Sequence, residues 1–137
     1  MIKFDLHIHS IASQYKEDDN IVSKSTPENV DVLLQKLNEN NVSLFSITDH
    51  NRFNVELYSK IDKMMSSDDF QYRNVQGLVA GVEFDVRLDP KMKKCHIICI
   101  FDAKNKIENY NKIIEAINQI VLSQTIRLYK ERKTSEK

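Results

Sequence analysis

Apolar and polar residues alternate strictly at the start of the chain, with Ile2, Phe4, Leu6 and Ile8 set against Lys3, Asp5, His7 and His9. Period two sends successive side chains to opposite faces, so the pattern predicts a strand over 2–9. Ser10 to Ser25 is polar and irregular and reads as a long functional loop. The signals change at Thr26, an expected N-cap followed by Pro27 in the first turn and by Glu28, whose charge suits the helix dipole. Val30, Leu33, Leu34 and Leu37 then recur at helical spacing. This helix should stop in Asn38-Glu39-Asn40-Asn41, because asparagine tolerates a left-handed cap.

The run from Val42 to Thr48 is short, apolar and β-leaning and predicts a second strand, with Asp49-His50-Asn51 at its C-terminal end. A weaker helix is expected over 55–65, with Leu57, Tyr58, Ile61, Met64 and Met65 as its apolar side. Residues 75–88 read as a third extended segment carrying Gly77 and Gly81. Asp89-Pro90 supplies turn chemistry, and 94–101 reads as a fourth strand, pairing with the third as a hairpin. From Ile107 to about Arg132, Ile107, Tyr110, Ile113, Ile114, Ile117, Ile120, Val121 and Leu128 repeat near 3.6, which predicts a long C-terminal helix with a charged tail. Strands alternating with helices indicate an α/β layer structure whose first strands are parallel. In such sheets, active sites gather beyond the C-terminal ends of the strands.

Composition narrows the function classes. The 137 residues suit a single domain, 1–137. Lys and Arg total 20 and Asp and Glu total 20, which excludes a protein held to nucleic acid mainly by bulk charge. With 41% hydrophobic and 29% charged residues, the chain has the make-up of a soluble globular domain. No stretch approaches the ~20 apolar residues of a membrane span. The first ten residues carry acid and histidine where a signal peptide needs an apolar core, so no membrane association and a cytoplasmic location are expected. Cys95 and Cys99 would lie about 13 Å apart along a strand, at ~3.3 Å per residue, too far for a disulfide. They are expected to be buried thiols.

The histidines carry the chemistry. His7 and His9 lie two apart on a predicted strand, so both leave the same face, as does Asp5. His50 closes the second strand in Thr48-Asp49-His50. Glu83 interrupts the apolar third strand in Gly81-Val82-Glu83-Phe84, and His96 interrupts the fourth in Cys95-His96-Ile97-Ile98. A lone His or Glu in a strand is most often a hydrogen-bonded core residue, and a His-x-His pair alone is a weak signal. The set is stronger, because one sheet would bring all these groups together. Burying them unpaired would cost several kcal/mol unless something such as a metal engaged them.

Asp5-Leu6-His7-Ile8-His9-Ser10, Ile47-Thr48-Asp49-His50-Asn51, Gly81-Val82-Glu83 and His96-Ile97-Ile98 together resemble the first motifs of the polymerase and histidinol phosphatase (PHP) domain family, in the family's order. The resemblance runs from the start of the chain to about Asp102. It implies part of a distorted β/α barrel, with about four strands plus helices here, and a cluster of up to three divalent ions (Zn, Mn or Fe) at the strand ends. His7 and His9 would hold one ion, Glu83 would bridge two, and His50 and His96 would serve the others, with Asp49 fixing a histidine tautomer.

The implied chemistry is hydrolysis of phosphate mono- or diesters, of small molecules or nucleic acid, by a metal-activated hydroxide. Arg52 is a candidate catalytic residue beside Glu83 and His50, since a guanidinium can orient a phosphate bidentately. Lys16 is a similar candidate, and a solvated surface cation is the plain alternative for both. The chain departs from the family in two ways. The loop ligand expected after His-x-His is missing unless Glu17 or Asp18 replaces it, and the later ligands, including an Asp-x-His, have no counterpart after His96. A partner chain or oligomer covering the open sheet edge and the long helix is therefore expected. The alternative to an enzyme is a non-catalytic metal-binding or regulatory domain on the same scaffold.

Overall fold

The alternating N-terminal segment forms β1 (Phe4–Ile8) of a computed structural model that describes residues 2–13, 25–86, 91, 93–102 and 109–120. β1 pairs in parallel with β2 (Leu44–Ile47), which pairs in parallel with β3 (Gly77–Leu78). A second sheet is the antiparallel hairpin of β4 (Ala80–Val86) and β5 (Cys95–Phe101), in register from Ala80↔Phe101 to Val86↔Cys95. The sheets meet at a parallel bridge between His50 and Glu83. Helices α1 (Val30–Glu39), α2 (Val55–Met65) and α3 (109–120) complete a mixed α/β architecture. Among the described residues there is no closed barrel, and no helix is long and apolar enough to cross a membrane.

Each helix turns one apolar stripe inward: Val30, Leu34 and Leu37 from α1, Leu57, Tyr58 and Ile61 from α2, and Tyr110, Ile113 and Ile117 from α3. They join Phe45 and Ile47 of β2 and Ala80, Val82 and Phe84 of β4 in one core. Each fully buried aliphatic or aromatic side chain contributes about 1.5–3 kcal/mol relative to exposure. The opposite faces of the strands carry the polar residues, and the site is built there.

Local signals explain most boundaries. α1 ends where expected, with Asn41 in the left-handed region at φ 57. α2 is capped by Asn54, whose side chain accepts from the Leu57 N–H at 3.2 Å. Thr26 does not cap as expected. Pro27–Asn29 forms a 3-10 turn first, and the Thr26 side chain makes no cap hydrogen bond.

The expected single segment over 75–88 is two strands in different sheets. The Val79 N–H still donates to Phe45 O at 2.9 Å, and there the chain leaves β2. The Tyr58 hydroxyl fills the resulting gap, accepting from Ile47 N and Gly81 N at 3.0 Å each and donating to Ile47 O at 2.7 Å, with Val79 O at 3.1 Å. Gly81 is needed at this crossing, because a Cβ would run into Ser46 and lie 2.8 Å from Thr48 and 2.9 Å from Ile100. The thiols also differ from expectation. Cys95 is exposed and Cys99 only partly buried, since β5 is an edge strand with Ile97, Ile98 and Ile100 open to solvent. The Asp89-Pro90 turn, the 14–24 part of the expected loop and the helix beyond 120 lie outside the described residues.

The buried tyrosines make the fold sensitive to alkali. Burial, only partly offset by its hydrogen bonds, pushes the Tyr58 hydroxyl up to about 12. Burial raises Tyr110 as well, helped by its 2.5 Å hydrogen bond to Asp62 and that carboxylate's charge. In the unfolded chain both would ionise near pH 10, whereas the fold must keep its protons. Stability is therefore intact below pH 10 and falls as pH rises toward 12, by roughly 2–3 kcal/mol from Tyr58 alone. Urea midpoints measured from pH 9 to 12 should drop across that window, and a flat profile would contradict buried, un-ionised phenols.

Candidate metal centre

Strand alternation sets out the site. On β4, Ala80, Val82 and Phe84 enter the core, so Gly81, Glu83 and Asp85 face the other way. The hairpin register puts Ile98 opposite Glu83 and His96 opposite Asp85. His7 comes from β1 and His9 from just beyond it, while His50 follows β2 and bridges to Glu83. Five residues that sequence reasoning nominated, His7, His9, His50, Glu83 and His96, thus converge on one place. Glu83 is fully buried at its centre, and His7 and His96 are half exposed at its rim.

The Glu83 carboxylate divides the cluster. His7 Nε2 and His9 Nε2 each lie 2.8 Å from Glu83 Oε2 and 3.1 Å from each other. His96 Nδ1 lies against the other oxygen, Oε1, which accepts no hydrogen bond of ordinary geometry. His50 Nδ1 is 3.2 Å and His96 Nε2 3.4 Å from Asp85 Oδ1, and His50 Nδ1 is 3.8 Å from Glu83 Oε2. Two donor groups result: His7, His9 and Glu83, and His50, Glu83, Asp85 and His96, with one ligand atom of each residue within 4.8 Å of the others in its group.

Ligands about 2.1 Å from a tetrahedral ion sit roughly 3.4 Å apart, close to the 3.2 and 3.4 Å around Asp85 Oδ1 and wider than the 2.8–3.1 Å of the first group. Hydrogen bonding alone fits the first group poorly. For both imidazoles to donate to Oε2, two N–H groups would face each other at 3.1 Å. A cation accepts both nitrogens and the oxygen at once. Burial pushes the Glu83 carboxyl up, but its contacts with His7 and His9 and the neighbouring His50 pull it below the ordinary carboxylate value.

A polar frame holds the ligands. Asp49 is buried and accepts from Ser10 N at 2.7 Å, Ser10 Oγ at 2.6 Å and Ser13 Oγ at 2.8 Å. Ser13 Oγ in turn accepts from the His50 N–H at 3.0 Å. Asp49 therefore locks the turn after His9 onto the backbone of His50, where sequence reasoning had it fixing a histidine tautomer. Asn51 holds the other side. Its backbone is in the left-handed region at φ 52, its N–H donates to Glu83 O at 2.7 Å, and its side chain makes two hydrogen bonds with Asp85, at 3.1 and 3.2 Å.

Asn51→Gly keeps that backbone conformation and removes the clamp. Loss of such an outer partner should weaken metal binding by the His50–Asp85–His96 group about 10- to 100-fold. The His7–His9 group should be little changed. Metal titrations of the variant check this, and equal weakening of both groups would contradict it.

Other candidates lie elsewhere. Asp5 shares the His7 face, but it is exposed and among the described residues accepts only the His7 N–H, at 3.3 Å. Arg52 is exposed and belongs to neither donor group; it lines a neighbouring cleft. Lys16, Glu17 and Asp18 lie outside the described residues. Asp85 was missed, although it stands two residues after Glu83 on the same face of a strand, which was the available signal. No family model matches the sequence, and no curated protein matches it.

Proposed function

We propose that this chain carries the ligand-bearing part of a metal-dependent phosphoesterase of the PHP type, hydrolysing phosphate mono- or diesters. One observation carries the proposal: a single buried carboxylate, Glu83, has one oxygen among the imidazoles of His7 and His9 and the other against His96. A shared carboxylate between two histidine groups suits a pair of divalent ions, Zn, Mn or Fe. Such ions, when bound, supply a water that ionises near neutral pH and positive charge against phosphate oxygens.

The chain's own residues do the rest. Glu83 sets the spacing of the two groups, and Asp49 and Asn51 keep the ligand-bearing turns from shifting. Arg52 follows the His50 turn and would steady a phosphate by paired N–H donors. The same proposal takes the parallel sheet and the bridged hairpin as part of a distorted β/α barrel, extended by a long C-terminal helix.

Metal analysis of the purified protein before and after EDTA tests it, followed by a phosphomonoester and phosphodiester screen of the reloaded protein. About two equivalents of metal per chain and EDTA-sensitive hydrolysis are expected. A protein that neither contains nor takes up metal defeats the proposal.

A second reading is a metal-binding domain without turnover that is completed by a partner chain. The exposed β5 favours it: among the described residues it pairs only with β4, and Ile97, Ile98 and Ile100 are 39–43% exposed. Metal uptake without hydrolysis of any ester is its signature.

A further inference from the structure

A cleft of about 460 Å³ adjoins the candidate metal centre, within the size range of small-molecule sites. Its apolar wall is built by Ile11, Pro27, Phe53, Val55, Ile114 and Ile117, drawn from the turn after His9, the entry to α1, the entry to α2 and the face of α3. Its polar wall includes Asn51, Arg52, Asn54, Glu56 and Asn118. Two of these side chains tie it directly to the ligand frame. Asn51 is hydrogen-bonded to Asp85, and Asn54 Nδ2 donates to Ser10 Oγ at 3.2 Å, the hydroxyl that holds Asp49. One side-chain layer therefore separates the cleft from a candidate ligand, and among the described residues its lining carries one cation, Arg52, and one acid, Glu56.

We infer that this cleft receives the organic part of a phosphate ester whose alcohol is apolar, an alkyl chain of several carbons or an aromatic ring, while the phosphate faces the metal centre. The inference rests on the phosphoesterase proposal and narrows its substrate class. The make-up of the wall fits such an amphipathic ester. The phosphate would meet the ions of the proposed centre, and the hydrocarbon meets a wall of isoleucine, valine, proline and phenylalanine. A sugar or a nucleotide would leave its hydroxyls or base edges unpaired against that wall.

The test is a homologous series of linear alkyl phosphates, methyl to hexyl, offered to the metal-loaded full chain. KM should fall about threefold for each added methylene, with kcat changing little, as the chain moves from water onto the wall. Ile114 is only partly buried, and Ile114→Ser should flatten that dependence while leaving metal content unchanged. If that variant does not fold, Val55→Thr, nearly isosteric, should flatten it in the same direction. Turnover with a KM indifferent to chain length overturns the inference and leaves the phosphoesterase proposal standing.

If no ester is turned over, the phosphoesterase proposal has failed, and binding decides the cleft by itself. Methyl NMR resonances of Ile11 and Ile114 should then shift with hexyl phosphate and stay still with inorganic phosphate. No shift with either overturns the inference.

Discussion

On the proposed two-ion centre, replacing Glu83 by glutamine should abolish binding of both ions at once. The amide has nearly the carboxylate's shape, so the fold is expected to survive, but it carries no charge and offers a single acceptor oxygen. In the native arrangement one oxygen serves the His7 and His9 nitrogens at 2.8 Å and the other lies against His96. With the anion gone, each group keeps its imidazoles, and only the second retains an acid, Asp85. Metal affinity should fall at least about 100-fold at both groups, more than for loss of an outer partner. Hydrolysis should drop to the level of metal-stripped protein.

The contrast with the histidines makes this specific. His7→Asn combined with His9→Asn should lose one equivalent and spare the other, and His96→Asn should weaken only the second group. Elemental analysis of the three proteins reads the outcome. Two retained equivalents in Glu83→Gln would rule out a shared carboxylate.

Tyr58→Phe should be the most damaging single-atom change to stability. The hydroxyl accepts from two main-chain donors, Ile47 N and Gly81 N, and donates to Ile47 O, in a fully buried position. Removing it leaves both N–H groups without that acceptor, where no strand pairing substitutes because β2 has just passed from β3 toward β4. Each unmet buried donor costs about 1–3 kcal/mol, so a loss of roughly 3 kcal/mol and a Tm lower by about 10 °C are expected. Tyr58 touches no candidate ligand, so metal content should be preserved. Denaturant titration with an unchanged slope measures the effect, and a loss under about 1 kcal/mol would mean that water replaces the hydroxyl.

Sequence legibility followed the range of the interactions concerned. Period two over 2–9 and the apolar spacing over 55–65 report local geometry, and the structure places β1 and α2 there. The parallel order of the first strands followed from their alternation with helices. The break at Val79 carries no local mark, because the hydroxyl that fills it comes from a residue 21 positions away. Ser10 and Ser13 were equally silent. They look like loop polars, and only Asp49, 39 and 36 positions on, turns them into a buried frame. The histidines and Glu83 were legible because a polar residue in an apolar strand violates the pattern around it. Asp85 escaped notice because it falls where β4 begins to leave the core and acid no longer looks out of place.

The bridge between His50 and Glu83 also has a consequence for the order in which the molecule assembles. His7 and Glu83 are 76 positions apart, and the second donor group reaches forward to His96. Contacts at such separation require a large loop to close before they yield anything, so they form late in folding. In the proposed centre the hairpin delivers Glu83, Asp85 and His96 as one unit, so both donor groups are expected to be complete only once β4 and β5 have docked.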